Sequence, residues 1–98
     1  MNTVALIGRL TKDPEVRTNN DLTIARYTLA VDRRGKDEPA DFIRCVAFGK
    51  TAQFAEKYLS KGSQIGVTGS IRTCSYKDKN GNTVYTTEVV IDNHTFTS

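Results

Sequence analysis

Asp41–Lys50 reads DFIRCVAFGK, and its alternation decides the fold. Phe42, Arg44, Val46, Phe48 and Lys50 fall on one parity, and Ile43, Cys45, Ala47 and Gly49 on the other. A strand sends successive side chains to opposite faces, so a period of two sorts these sets onto two surfaces. One surface is small and apolar, suited to a core. The other mixes aromatic rings with cations, the combination a surface needs to stack bases and neutralise phosphates.

Working outward, Leu22–Asp32 (LTIARYTLAVD) reads as the preceding strand, with Ala25, Tyr27, Leu29 and Val31 on the core parity and Arg26 and Thr28 opposite. Arg33–Ala40 (RRGKDEPA) between the two is a polar loop. Upstream, Thr3–Leu10 (TVALIGRL) is the first strand, in which Gly8 suggests a bend or a close backbone approach. Asp13-Pro14 interrupts it, and Thr18–Asp21 is a loop by composition. Downstream the period changes. Thr51–Lys61 (TAQFAEKYLSK) has Ala52, Ala55, Tyr58 and Leu59 at helical spacing, Thr51 as the expected N-cap and Gly62 as the residue past the end. Phe54 and Tyr58 are four apart, and the bland reading, packing, is the better one for them. Ser63–Tyr76 is a long fourth strand with Ile65, Val67, Gly69 and Ile71 on the core parity; Gly66 and Gly69 permit a sharp barrel bend. Asn80-Gly81 marks a hairpin, since both tolerate positive φ, leading into a fifth strand, Thr83–Asp92. Asn93–Ser98 is left as a short polar tail. The order β-β-β-α-β-β, all-β with one short helix, is that of the OB-fold, a five-stranded Greek-key barrel that binds oligonucleotides or oligosaccharides.

A chain of 98 residues makes one domain, residues 1–98, and buries roughly 65% of its unfolded surface, enough for a core without staples. The net charge of +3 supports an acidic partner only weakly; the placement of the cations matters more. Two distant cysteines, Cys45 and Cys74, make neither a disulfide framework nor a zinc site and fit a reducing cytoplasm. No signal-like start and no membrane-length apolar run occurs. An enzyme is a poor fit. His94 is a lone imidazole near the end, read as a surface or terminal residue without a partner; no nucleophile–base set, metal spacing or phosphate loop stands out, so no cofactor is expected.

The candidate surface collects Phe42, Arg44, Phe48 and Lys50 from the third strand, Arg72 and Tyr76 from the fourth, and Arg33, Arg34, Lys36, Lys77 and Lys79 from loops. If the phenylalanine face were core, Arg44 and Lys50 would be carried inside with it, at a high desolvation cost. An open face of this kind suits single-stranded nucleic acid, whose base faces and phosphates are exposed together.

The chain resembles bacterial single-stranded DNA-binding proteins of the homotetrameric OB-fold type. The resemblance rests on LIGRLTKDPEVR (Leu6–Arg17), TLAVDR (Thr28–Arg33), ADFIRCVAFGK (Ala40–Lys50), YLSKGSQIGVTGSIRT (Tyr58–Thr73) and YTTEVV (Tyr85–Val90), together highly specific. It implies sequence-independent binding and protection of single-stranded DNA in replication, recombination and repair. Phe42, Phe48 and Tyr76 stand where the family stacks bases; Phe42 and Tyr76 replace tryptophans common in other members. Arg33 or Arg34 stands where some members carry an aromatic, and Cys74 where some are basic. It also implies a homotetramer built from dimers paired through strand 3–10, in the bacterial cytoplasm with the nucleoid, whether cell- or phage-encoded. Family members usually continue into a flexible linker with an acidic tip that recruits replication and repair enzymes. These 98 residues carry no such tip, so weak or absent docking of tail-dependent partners is expected. Two other readings of the fold stay open: a dimeric primosomal accessory protein, and an RNA-binding module of the cold-shock type, although no RNP-like aromatic run is present.

Overall fold

Alternating apolar residues with β-branched neighbours produce paired strands where they are expected, and one that they do not announce. The computed structural model describes residues 1–34 and 39–97. In chain order the elements are β1 (Val4–Leu10), β2 (Glu15–Asn19), β3 (Leu22–Val31), β4 (Asp41–Phe48), α1 (Lys50–Tyr58), β5 (Gln64–Lys77) and β6 (Thr83–Thr95). The sheet runs β1-β5-β6-β4-β3-β2, and β1 also pairs with β3 through Arg9↔Ala30 and Leu10↔Leu29. That last pairing closes β1, β5, β6, β4 and β3 into a ring, the five-stranded barrel of an OB-fold. The β4–β6 pair is parallel and joins Cys45 to Val89 and Val46 to Val90.

The barrel interior is filled from the expected parity in three strands, by Ala25, Tyr27 and Leu29 of β3, Cys45 and Ala47 of β4, and Ile65 and Val67 of β5, and Val89 and Ile91 of β6 complete it. Ala52 and Ala55 of α1, with Leu59 at its C-cap, add to this core, and the helix packs on β3, β4 and β6. Each fully buried side chain of leucine or isoleucine size contributes about 1.5–3 kcal/mol, so this stripe is the main source of stability. Between Thr68 and Gly69 the β5–β6 ladder carries a bulge. A Cβ at Gly69 would collide with the Val90 carbonyl, so this corner of the barrel requires glycine.

Several local expectations are corrected. Glu15–Asn19 is a strand rather than connector and loop; β2 lies outside the ring and pairs only with β3. Its hairpin turns on Asn20 and Asp21, with φ of 50° and 67°, the pair of positive values that a two-residue primed turn demands. At Asn80-Gly81 only Gly81 has positive φ, at 81°. There the turn is longer: Gly81 N donates to Asp78 O, and Asp78 Oδ1 accepts from Asn80 N and Asn82 N. The helix begins at Lys50, with Gly49 rather than Thr51 at its N-cap position; Thr51 Oγ1 donates back to the Phe48 carbonyl instead. It ends at Tyr58, and Gly62 N donates to Leu10 O in the following turn. Asn93–Thr95 belongs to β6, paired with Gly66–Thr68, and is not a tail. Ile71 lies past the bulge, where β5 has left the barrel, and is exposed rather than core.

Candidate nucleic-acid interface

Cross-strand partners share a face, so the registers show what stands beside the outward parity of β4. From β3, Thr28 faces Arg44 and Arg26 faces Val46. From β6, Val90 lies beside Val46, and on the far side Arg72, Cys74 and Tyr76 of β5 face Glu88, Thr86 and Val84. The four adjacent strands β3-β4-β6-β5 thus present one outer surface, opposite the packed interior, that carries Phe42, Arg44, Phe48, Arg72 and Tyr76. Phe42 and Tyr76 are exposed, and Phe48 is half-buried. Val46, on the same parity, is fully buried, so the open wall is divided at its middle.

Two depressions meet on this surface. One, of about 480 Å³, is apolar and is lined by Phe42 together with Leu6, Ile43, Ile71 and Val89. The other, of about 350 Å³, is lined by charges of both signs, Lys12 and Arg26 with Asp13 and Glu15. Arg44 and Glu88 line both. Arg44 makes no ion pair among the described residues and is exposed, which leaves its guanidinium available for a phosphate.

Arg72 is differently placed. Its Nε and Nη2 both lie 2.6 Å from Glu88 Oε1, and its guanidinium stands over the Phe48 ring, 5.5 Å from the centroid, within cation–π range. Cys74 Sγ donates to the same Glu88 oxygen at 3.3 Å. Burial alone would raise the Glu88 carboxyl. The hydrogen bonds from Arg72 and Cys74, with the charges of Arg72 and Arg26, outweigh it and hold the group below the usual carboxylate range. Glu88 is therefore an anion at neutral pH with Arg72 and Arg26 close by.

The remaining expected cations spread around this centre. Arg33 pairs with Asp41, Nη2 to Oδ1 at 2.9 Å, at the start of β4. Arg34 lines a different depression, with Ala5, Ile7 and Thr68 on the β1–β5 side. Lys50 opens α1 and borders Thr51, Phe54 and His94. Lys77 and Lys79 are exposed at the β5–β6 hairpin tip. Lys36 lies outside the described residues. Arg26 and Glu88 were not singled out as site residues. Arg26 was legible as an outward-facing cation, whereas Glu88 became visible only through the register that sets it opposite Arg72.

His94 is not the unpartnered surface residue the sequence suggested. Its Nε2 shares a 2.7 Å hydrogen bond with Tyr27 Oη, and its ring stacks on Phe54 at 4.9 Å. Burial pushes its pKa down, as burial, and secondarily Cys45, pushes the Tyr27 phenol up. The Cys45 thiol is likewise pushed up to about 12 by burial, so it is a packing residue rather than a nucleophile. Among the described residues no cluster of three metal-ligating side chains exists, and no helix is long and apolar enough to cross a membrane.

The likeness to known proteins runs the length of this arrangement. The single-stranded DNA-binding protein of Clostridium perfringens (strain 13 / Type A) is 51% identical over 98 residues, which covers 98% of this chain and 65% of the relative. Single-stranded DNA-binding protein 3 of Clostridium acetobutylicum is 50% identical over 97 residues, 94% of this chain and 67% of the relative. Single-stranded DNA-binding protein 1 of Staphylococcus aureus (strain MSSA476) is 47% identical over 102 residues, 98% of this chain and 65% of the relative. The chain thus spans about two thirds of the length of these curated relatives. The profile of the single-strand binding protein family matches residues 1–97, and the chain belongs to that family.

Proposed function

We propose that this domain binds single-stranded DNA without reading its sequence, and that it protects such strands during replication, recombination and repair in the bacterial cytoplasm. The observation that carries the reading is the outer face of β3-β4-β6-β5, where exposed Phe42 and Tyr76 stand with Arg44, Phe48 and Arg72 on the side turned away from the core. The names of the bacterial relatives point the same way. Phosphates would be drawn first to Arg26, Arg44 and the hairpin lysines, and bases would then stack on Phe42, Phe48 and Tyr76, each stack contributing about 1–3 kcal/mol. Duplex DNA hides its base faces and would gain only the phosphate part of this interaction. A titration of oligo-dT, and of duplex DNA and RNA of equal length, over a range of salt tests the reading. The expected result is preference for the single strand and a log–log salt slope of about −0.7 per neutralised phosphate. Equal affinity for duplex and single strand would overturn it.

The assembly we propose is a homotetramer made from dimers paired through β1. β1 bonds to β5 over Val4–Arg9 and to β3 only at Arg9 and Leu10, so among the described residues its other edge pairs with no strand over Val4–Ile7. An unpaired edge with exposed Ile7 is a template for a second strand. The solution mass of the chain separates tetramer from dimer. A dimer would favour the primosomal type of relative.

A further inference from the structure

We propose that Glu88 is a built-in phosphate surrogate: it holds Arg72 over Phe48 while the face is empty, and an incoming phosphodiester takes its place. This rests on the single-strand binding proposed above and names a control on that same face.

Three donors converge on one oxygen. Arg72 Nε, Arg72 Nη2 and Cys74 Sγ all reach Glu88 Oε1, as donors gather around a phosphate oxygen. The pair is fixed by register, since Arg72 and Glu88 are directly opposite in the β5–β6 ladder. In this position the guanidinium covers one face of the Phe48 ring. A base that stacks on that face must displace Arg72, and a phosphate that recruits Arg72 must displace Glu88. Contact at this point is therefore an exchange of one anion for another rather than a simple gain. The exchange leaves a carboxylate beside the strand, with Arg26 nearby as the cation that the desolvated carboxylate already feels. Such a device lowers the affinity per contact and speeds release, as a protein that must leave a strand requires.

Glu88→Gln keeps the shape and removes the competing charge. Oligo-dT should bind the variant about fivefold more tightly or better at low salt, with a log–log salt slope steeper by about 0.7, the increment of one further neutralised phosphate on a single strand. The gain must act through Arg72. In an Arg72→Gln background the same substitution should give at most about a twofold change, which a double-mutant cycle resolves. A gain that persists undiminished without Arg72 would reveal a general charge effect and overturn the proposal. Weaker binding by Glu88→Gln would also overturn it, because Glu88 would then be orienting Arg72 for the strand. If Glu88→Gln does not fold, as judged by thermal unfolding, Glu88→Asp is read instead: its shorter arm slackens the grip on Arg72 with the charge kept, and tighter binding is again expected. A parent chain that binds no oligo-dT overturns the functional reading and this one together. A parent that binds, with a variant that binds no better, overturns this one alone.

Discussion

Two groups of rings reach the surface of this small barrel, and exposure does not tell them apart. On the outer face, Phe42 is 67% exposed and Tyr76 57%. At the helix, Phe96 is 62% exposed and Tyr58 52%. Their neighbours differ. Around α1 each ring meets another ring: Phe54 lies 4.9 Å from Tyr58, 4.9 Å from His94 and 5.4 Å from Phe96. On the outer face no ring touches a ring among the described residues, and Phe48 is instead covered by a guanidinium. Rings spent on one another hold the end of β6 against the helix. Rings left apart among cations keep their faces open. Surface aromatics are better sorted by what they touch than by how much of them shows.

The largest effect that tests this distinction is on the helix side. Phe54→Ala removes the ring that three others share and that packs against the core. It should cost about 2–3 kcal/mol of unfolding free energy, somewhat below the range for a fully buried phenylalanine. The folded variant should bind oligo-dT as the parent does. Denaturant melts and titrations on the same sample check both halves. A large loss of affinity in a well-folded Phe54→Ala would merge the two groups into one binding surface.

On the outer face the pattern should invert. Phe42→Ala should weaken oligo-dT by about 1–2 kcal/mol, the lower part of the range for one stacked base, because phenylalanine offers less area than a larger ring. Stability should stay within about 0.5 kcal/mol of the parent, since the ring is mostly in solvent already. Fluorescence anisotropy with labelled dT reads the first quantity and thermal unfolding the second. Phe48→Ala should affect both, because Phe48 is half-buried and also seats Arg72.

How far the sequence reveals this contrast depends on the kind of signal. The barrel strands were legible because each of them buries mainly one parity; Ala25, Tyr27 and Leu29 announce β3 as plainly as Ile65 and Val67 announce the buried half of β5. β2 was not legible because Glu15–Asn19 is exposed on both faces except at Val16 and is held mainly by its backbone ladder with β3, which leaves no alternation to read. Asn93–Thr95 was not legible either: these polar residues show no apolar alternation, and their ladder with β5 and the contacts of His94 place them in β6. Phe42, Arg44 and Tyr76 were legible because cations and rings shared a parity. The engagement of Arg72 with Glu88 was not, since the two are sixteen residues apart in sequence and meet only through the hairpin register. His94 was misread for the same reason: Tyr27, its partner, is sixty-seven residues away.

His94 supplies the smallest and most selective test, because it belongs to one group of rings and not the other. Burial among Tyr27 and Phe54 lowers its pKa below the unfolded value of about 6.5. For a group so depressed, the unfolded chain takes up the proton first as pH falls. The stability His94 contributes is fully present above about pH 6.5 and declines as pH drops from there through the lower folded value. Unfolding midpoints in denaturant should therefore fall between pH 7 and pH 5. His94→Gln, which keeps a polar side chain but cannot titrate, should flatten that decline. Over the same interval oligo-dT affinity per folded molecule should change alike in parent and variant, because among the described residues no ring of the outer face touches His94. A pH-dependent affinity that disappears in His94→Gln would mean that the helix cluster and the outer face act as one unit, and that the separation by neighbours fails at the residue where it is sharpest.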